Sequence, residues 1–299
     1  MDHHPTLSRR SLPLNLVKIS MATLTMILLT WPPFFTQATA ANTTYKSLNS
    51  KALSNTPPAS LIIAELHLSR LLLQKIIMNY HLFSVKGSDP MYDQAIQTHI
   101  KSFDLLIISF PVTLTDESHT ATLESLSNNW KSFNQQLASN RKQVRKKGSA
   151  NIQTTDDMMA SAELLRIDLI DITTEVAIAN HHRIKGSIAK ARELTLIIQQ
   201  LATDYAGRSS SSFGVSHKAQ GIDKPIDVLA KEFSSKLETL ALHKGNNTEI
   251  KMLFRKIQTK WRFIEKPLEN YTESSIPFLI TRYSEHIISS LQKIASLYQ

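Results

Sequence analysis

One hydrophobic pattern runs through most of this chain and constrains its fold more than any other feature. In residues 59–90, apolar side chains recur at steps of three and four residues, which is the spacing of one face of an α-helix. The same pattern returns until the chain ends, and glycine accounts for only 7 of the 299 residues. A sheet protein would need glycine-rich turns and β-branched strands. The sequence therefore predicts an all-α fold.

The predicted helices are separated by short polar joints that contain Gly, Pro, Asn or Asp. The fourth helix has Gly186 as its only weak point, so we interpret it as one very long helix or as two helices nearly end to end. A Ser-rich loop at 207–221 follows it. The predicted helical segments are 59–90, 90–111, 115–147, 155–205, 225–243, 248–268 and 274–298.

The chain contains an internal repeat. At an offset of 125 residues, or slightly more, several side chains of the first half meet an identical residue in the second half. We therefore predict two tandem four-helix-bundle modules, at 59–180 and 181–299, which share the long central helix. Trp130 with Phe133, and Trp261 with Phe263, are predicted to fill the two cores. The matched pairs are Leu71 with Leu196, Gln74 with Gln199, Tyr80 with Tyr205, Phe103 with Phe233 and Trp130 with Trp261.

The first 40 residues have the features of a cleaved signal peptide. Arg9 and Arg10 precede an apolar run that is short for a membrane span, and small residues follow at 38–40. The arginine pair also resembles a twin-arginine leader, so the export route is left open. Residues 41–58 are expected to form a flexible lead-in. We expect a periplasmic protein; the alternative is an inner-membrane protein held by an uncleaved N-terminal segment.

Composition excludes several classes of site. The chain has no cysteine, which excludes disulfides and thiolate metal sites. Its net charge is +9, and loss of residues 1–40, with three basic residues and one acidic residue, would leave +7. That charge suits anionic partners, but no nucleic-acid-binding motif is present and nucleic acid is not expected. No catalytic, metal-binding or cofactor motif is found, so we predict neither an enzyme nor a cofactor.

Arg70 is the candidate ligand-binding residue. A guanidinium in a largely apolar helix needs an acceptor, and its fixed set of donors suits planar anions. Gln74 and Lys75 follow one turn later and complete the candidate site. The alternative is that Arg70 reaches the surface or pairs with a carboxylate. The second copy of the repeat has Thr195 where the first has Arg70, so only the first copy is equipped for an anion.

The helix that carries these residues resembles the sensory domain of PilJ-type chemotaxis transducers, which is related to NarX-like nitrate sensors. Arg70, Gln74 and Lys75 match the family pattern Arg-x-x-x-Gln-Arg/Lys, and Trp130 with Phe133 match its W-x-x-F helix. The resemblance covers most of residues 59–299 as two copies. It implies that Arg70 contributes to a small-anion site, as the matching arginine of the nitrate sensors does at a dimer interface. The usual Gly-Arg-Gln before the arginine is replaced here.

Two functions follow from these observations. The first is an exported, non-enzymatic sensory module that binds a small, nitrate-like anion and signals to a membrane-bound sensor or transducer, with a homodimer as one arrangement. The second is a ligand-free envelope scaffold or protein-interaction module. It would bind a partner through the basic end of the third helix, residues 141–147.

Overall fold

The computed structural model describes residues 58–179, 186–210, 224–269 and 276–298. These residues form eight α-helices and one short 3₁₀ turn, with no strand among them, so the all-α prediction is confirmed for this part of the chain. We number the helices in chain order. They are α1 (Ala59–Val85), α2 (Pro90–Thr113), α3 (Thr120–Lys147), α4 (Ile152–Ala179), α5 (Gly186–Ser210), α6 (Ile226–Ala241), α7 (Thr248–Glu269) and α8 (Pro277–Leu297); the 3₁₀ turn is Glu117–His119.

Local sequence explains where the first helices end and begin. Gly87 and Ser88 both have positive φ angles, of 60° and 68°, and turn the chain out of α1. The side chain of Asp89 then accepts a hydrogen bond from the backbone N–H of Met91, and Pro90 occupies the first turn of α2. Gly148, at a φ of 73°, ends α3 in the left-handed conformation that glycine favours.

Two helices extend past their predicted ends. Helix α2 continues through Pro111 to Thr113, because a proline in the last turns interrupts the backbone hydrogen bonds only locally. Helix α5 continues through Gly207 to Ser210, within the stretch predicted as a loop. A Cβ atom at position 207 would lie 3.3 Å from Nε2 of His81, so glycine allows α5 to approach α1 closely at this point. The rest of the predicted loop, 211–221, lies outside the described residues.

Each half of the chain forms a closed set of neighbouring helices. In the first half, α1 packs against α2 and α4, and α3 packs against α4 and α2. In the second half, α5 packs against α6 and α8, and α7 packs against α8 and α6. Helix α1 also packs extensively against α5, so the two first helices join the halves.

The repeat recurs in the contacts of its aromatic residues. Phe103 lies 4.3 Å from Trp130 between ring centroids, and Phe233 lies 4.4 Å from Trp261. Both indole N–H groups donate to the residue that follows the phenylalanine: Trp130 to Asp104 at 2.7 Å and Trp261 to Ser234 at 2.8 Å. The two halves therefore have equivalent packing at equivalent positions.

The prediction of a core role is correct for three of the four aromatic residues. Trp130, Phe133 and Trp261 are buried. Phe263 is 58% exposed and stacks on Tyr283 at 5.6 Å, so it is not a core residue. Position 264, an isoleucine with no exposed surface, lies in the core instead.

Helices α1 and α5 run parallel. His67 bonds to Thr195, Gln74 to Gln200 and His81 to Ser210, with sequence separations of 128, 126 and 129. Because the separation in sequence is nearly constant along the contact, the two helices run in the same direction.

Helix α4 runs in the opposite direction: Thr155 bonds to Tyr80, near the end of α1, and the charge of Arg166 acts on Arg70, near its middle. Helices α4 and α5 are therefore antiparallel, and the prediction of one very long helix, or of two helices nearly end to end, is wrong. The predicted domain boundary near residue 180 falls next to 180–185, which lie outside the described residues.

Candidate functional site

The candidate site lies where α1 faces α4 and α5. Helix α1 contacts both of these helices as well as α2, so it is covered on several sides and most of its apolar residues are buried. Polar side chains on such a helix must find partners among its neighbours or lose hydrogen bonds to water. Three of them, His67, Arg70 and Gln74, follow one another at steps of three and four residues and therefore share one face.

Arg70 is a partly buried cation without an acidic partner. Its Nε atom is buried and has no hydrogen-bond partner, and no carboxylate of the described residues forms an ion pair with it. Burial lowers the pKa of Arg70, and the positive charge of Arg166 on α4 lowers it further. Both effects disfavour the charged guanidinium, so an anion placed beside it would relieve an unfavourable arrangement.

Two further basic residues belong to this region: His67 lies near Arg70, and Arg192 lies near His67. His67 approaches Oγ1 of Thr195 with its Nε2 atom at 2.9 Å. Burial lowers the pKa of His67 to about 3, with contributions from the charges of Arg192 and Arg70, so the ring is neutral near pH 7. Burial also lowers the pKa of Arg192, which has no ion-pair partner among the described residues. We refer to His67, Arg70, Arg166 and Arg192 as the arginine cluster.

The charge of the arginine cluster is only partly neutralised. Arg166 donates from Nε to Glu163 at 2.7 Å and makes a second bond from Nη2, so that pair is internally balanced. Arg70 and Arg192 supply positive charge that no carboxylate of the described residues pairs with. A site with this surplus favours an anion over a neutral or cationic ligand.

Gln74 extends the site along the contact between α1 and α5. Its Nε2 donates to Oε1 of Gln200 at 2.6 Å, and Gln200 in turn donates from Nε2 to Oδ1 of Asp204 at 2.7 Å. The Oε1 atom of Gln74 is buried and has no partner among the described residues. Gln74 thus lies at the contact with α5, and Arg70 stands one helical turn away on the same face of α1.

Lys75 lies among different neighbours. Burial lowers the pKa of Lys75, and the charge of Glu285 on α8 raises it in part. Burial and the charge of Lys75 lower the pKa of His99 on α2 to about 3. The charge that acts on Lys75 comes from α8, and Lys75 itself acts on His99 of α2. The charges that act on Arg70 and His67 come from α1, α4 and α5. Five residues apart on a helix, Arg70 and Lys75 differ by about 140° in direction.

Sequence reasoning missed three members of the arginine cluster. Arg192 stands at the repeat offset of 125 from His67, and Thr195 stands at the same offset from Arg70, so the two copies exchange the position of the arginine. His67 and Thr195 meet across α1 and α5. That exchange was a usable signal. Arg166 gave no signal, because its position on α4 does not show that α4 faces α1.

The basic end of α3 is only partly available for binding. Arg141 and Arg145 both contact the Asp93 carboxylate on α2, at 2.7 and 2.5 Å, and Arg145 lies 5.9 Å above the centre of the Phe83 ring. These two arginines tie α3 to α2. The exposed members of the stretch 141–147 are Lys142, Arg145, Lys146 and Lys147.

A metal-binding cluster and a membrane-spanning helix are both absent from the described part of the chain. No three His, Asp or Glu side chains there come close enough together to hold a metal ion. None of the described helices is both long and apolar enough to cross a membrane. Neither a protein-family model, nor a curated protein, nor a solved structure matches this chain.

Proposed function

We propose that this protein is an exported, non-enzymatic sensory module that binds a small anion at Arg70. The proposal is carried by one observation: the guanidinium of Arg70 is partly buried, its Nε has no hydrogen-bond partner among the described residues, and Arg166 adds positive charge beside it. A buried donor without an acceptor is unfavourable, so a bound acceptor would stabilise the protein. Arg70 and Gln74 belong to this proposed site; Lys75 joins it only if the anion extends toward α2.

The proposed architecture is two four-helix-bundle modules, α1 to α4 and α5 to α8. The closed set of contacts in each half and the matched Phe–Trp pairs support it. We further propose that the modules are PilJ-type sensory domains, related to those of NarX-like sensors. The site then lies between two helices of one chain and does not require a homodimer.

The proposed signal is a shift of α1 relative to α5 and α4. A ligand changes a conformational equilibrium only through different affinities for the two arrangements. An anion between Arg70 and Arg166 would favour the arrangement in which these cations lie closest. We propose that a membrane-bound sensor or transducer in the periplasm reads this change; the N-terminal segment would direct the export, or hold the protein at the inner membrane if it is retained.

The experiment is a thermal-unfolding screen of the protein against small anions as sodium salts at constant ionic strength. At least one anion should raise the melting temperature of the wild-type protein, and the shift should be lost in Arg70→Ala. Lys142→Ala removes the same charge from an exposed position and should retain the shift. Absence of any shift, or an equal shift in Arg70→Ala, contradicts the proposal.

The second candidate function is a ligand-free envelope scaffold or protein-interaction module. The observation in its favour is the exposure of Lys142, Lys146 and Lys147 at the end of α3, where no ion pair of the described residues involves them. Crosslinking in the envelope followed by pull-down should then recover a partner with the wild-type protein. Glutamate at these three positions should abolish that recovery. Unchanged recovery with the glutamate variant contradicts this function.

A further inference from the structure

Two buried polar atoms without hydrogen-bond partners lie one helical turn apart. Among the described residues, the Nε atom of Arg70 and the Oε1 atom of Gln74 are both buried and unpaired. Residues four apart on a helix have side chains about 5–6 Å apart at Cβ. The Nε–H group of Arg70 is a donor and the Oε1 atom of Gln74 is an acceptor, so a ligand that binds between them must accept one hydrogen bond and donate another.

The orientation of the Gln74 amide follows from its neighbours. A carboxylate only accepts hydrogen bonds at neutral pH, so Gln200 must direct its NH₂ group at Asp204. The Oε1 atom of Gln200 therefore faces Gln74, and Gln74 must donate a hydrogen bond to it from its own NH₂ group. A flipped Gln74 would place two carbonyl oxygens 2.6 Å apart. The two hydrogen bonds, from Gln200 to Asp204 and from Gln74 to Gln200, thus leave the carbonyl oxygen of Gln74 as the free acceptor.

Resting on the anion site proposed above, we infer that its ligand is a small anion that also carries a hydrogen-bond donor. Its charged oxygen accepts from Arg70 and its O–H or N–H group donates to Oε1 of Gln74. Bicarbonate, dihydrogen phosphate and small hydroxycarboxylates belong to this class. Nitrate does not, because it has acceptors only. An acceptor-only anion would leave the Gln74 oxygen buried without a partner, or oppose it with a second oxygen.

Bicarbonate and nitrate are a matched pair for testing this inference. Both are planar, three-oxygen monoanions of similar size, and they differ in the single O–H group. Any difference in binding between them therefore reports the donor rather than the charge or the shape. Leaving one buried acceptor unpaired is a large enough penalty that we expect bicarbonate to bind about tenfold more tightly than nitrate, or better.

The experiment measures the dissociation constants of sodium bicarbonate and sodium nitrate by isothermal titration calorimetry at one pH near neutrality and equal ionic strength. The wild-type protein should prefer bicarbonate. Gln74→Met keeps the length of the side chain but removes the acceptor, so it should weaken bicarbonate binding about tenfold and leave nitrate binding unchanged. Asp204→Asn should reduce the preference without touching the ligand, because an amide at position 204 no longer dictates the orientation of Gln200.

The outcomes separate this inference from the proposed function. If nitrate binds the wild-type protein as tightly as bicarbonate, and both depend on Arg70, the anion site stands and the donor requirement is wrong. If neither anion binds, or binding persists in Arg70→Ala, the anion site itself is wrong. The wild-type preference alone decides the donor requirement if Gln74→Met does not fold.

Discussion

Removing the positive charge of Arg70 should stabilise the protein in the absence of anions. The guanidinium is partly buried, its Nε lacks a partner among the described residues, and Arg166 repels it. Arg70→Met keeps an unbranched side chain of similar length and nearly the same helix propensity. The substitution therefore removes a desolvated charge without adding a cavity of comparable size or changing the preference of α1 for the helix.

The size of the gain follows from the unpaired donor. A buried donor that has lost its hydrogen bond costs about 1–3 kcal/mol, and methionine removes that cost. The helices belong to a unit of residues 55–299, and for domains of this size about 1 kcal/mol shifts the melting temperature by about 2–4 °C. We expect Arg70→Met to melt about 2–12 °C above the wild-type protein in anion-poor buffer.

Arg141 offers the matched control. It is also a largely buried arginine, with 11% of its side chain exposed, but it bonds to Asp93 from Nε at 2.8 Å and from Nη2 at 2.7 Å. Arg141→Met should therefore lower the melting temperature. Differential scanning calorimetry of the three proteins, in buffers of a single large organic anion at low concentration, measures both shifts.

Opposite signs for the two arginines are the expected result. If Arg70→Met destabilises the protein in the absence of small anions as strongly as Arg141→Met does, Arg70 already has favourable partners and no bound anion is needed to explain its burial. If it stabilises the protein and also abolishes the thermal shift by anions, the residue is retained for binding at the expense of stability.

Three other perturbations test parts of the same structure. Acid should destabilise the protein, because the pKa of His67 and of His99 is about 3 in the folded state and near 6.5 in the unfolded state. The free energy of unfolding, measured by urea titration, should fall by up to about 1.4 kcal/mol per pH unit for each histidine as the pH drops from 6.5 toward 3. A stability that does not change with pH in this range contradicts the burial of these histidines. Asp104→Ala and Ser234→Ala should each cost about 1–3 kcal/mol, because each leaves a buried indole N–H without its acceptor, and an unchanged stability in either variant would contradict the role of that bond. Asp93→Ala should cost about 1–3 kcal/mol in the same titration, since two arginines lose their carboxylate, and an unchanged urea midpoint would contradict a structural role for that contact.

The sequence marked Arg70 as a site residue more clearly than it marked the neighbours of Arg70. Arg70 was apparent because a charge in an apolar helix breaks a local pattern. Lys75 was joined to it by nearness in the chain, but neighbours on a helix differ in direction by about 100° for each residue. The direction of a side chain shows which residues it meets only when the neighbouring helices are known. Lys75 lies near groups of α2 and α8, whereas Arg70 lies near Arg166 of α4.

The sequence by itself determined the helical class of the described residues, most helix limits and the equivalence of the two halves, because periodicity, caps and glycine positions act within a few residues of the chain. Only the tertiary structure decided that α1 and α5 run parallel and in contact, that Arg192 lies near His67, and that Arg166 lies near Arg70. Contacts between residues about 125 positions apart depend on how whole helices pack, and helical patterns of this kind are compatible with several packings. The unpaired atoms of Arg70 and Gln74 are a property of that packing, since a polar group becomes costly only where neighbouring helices exclude water from it.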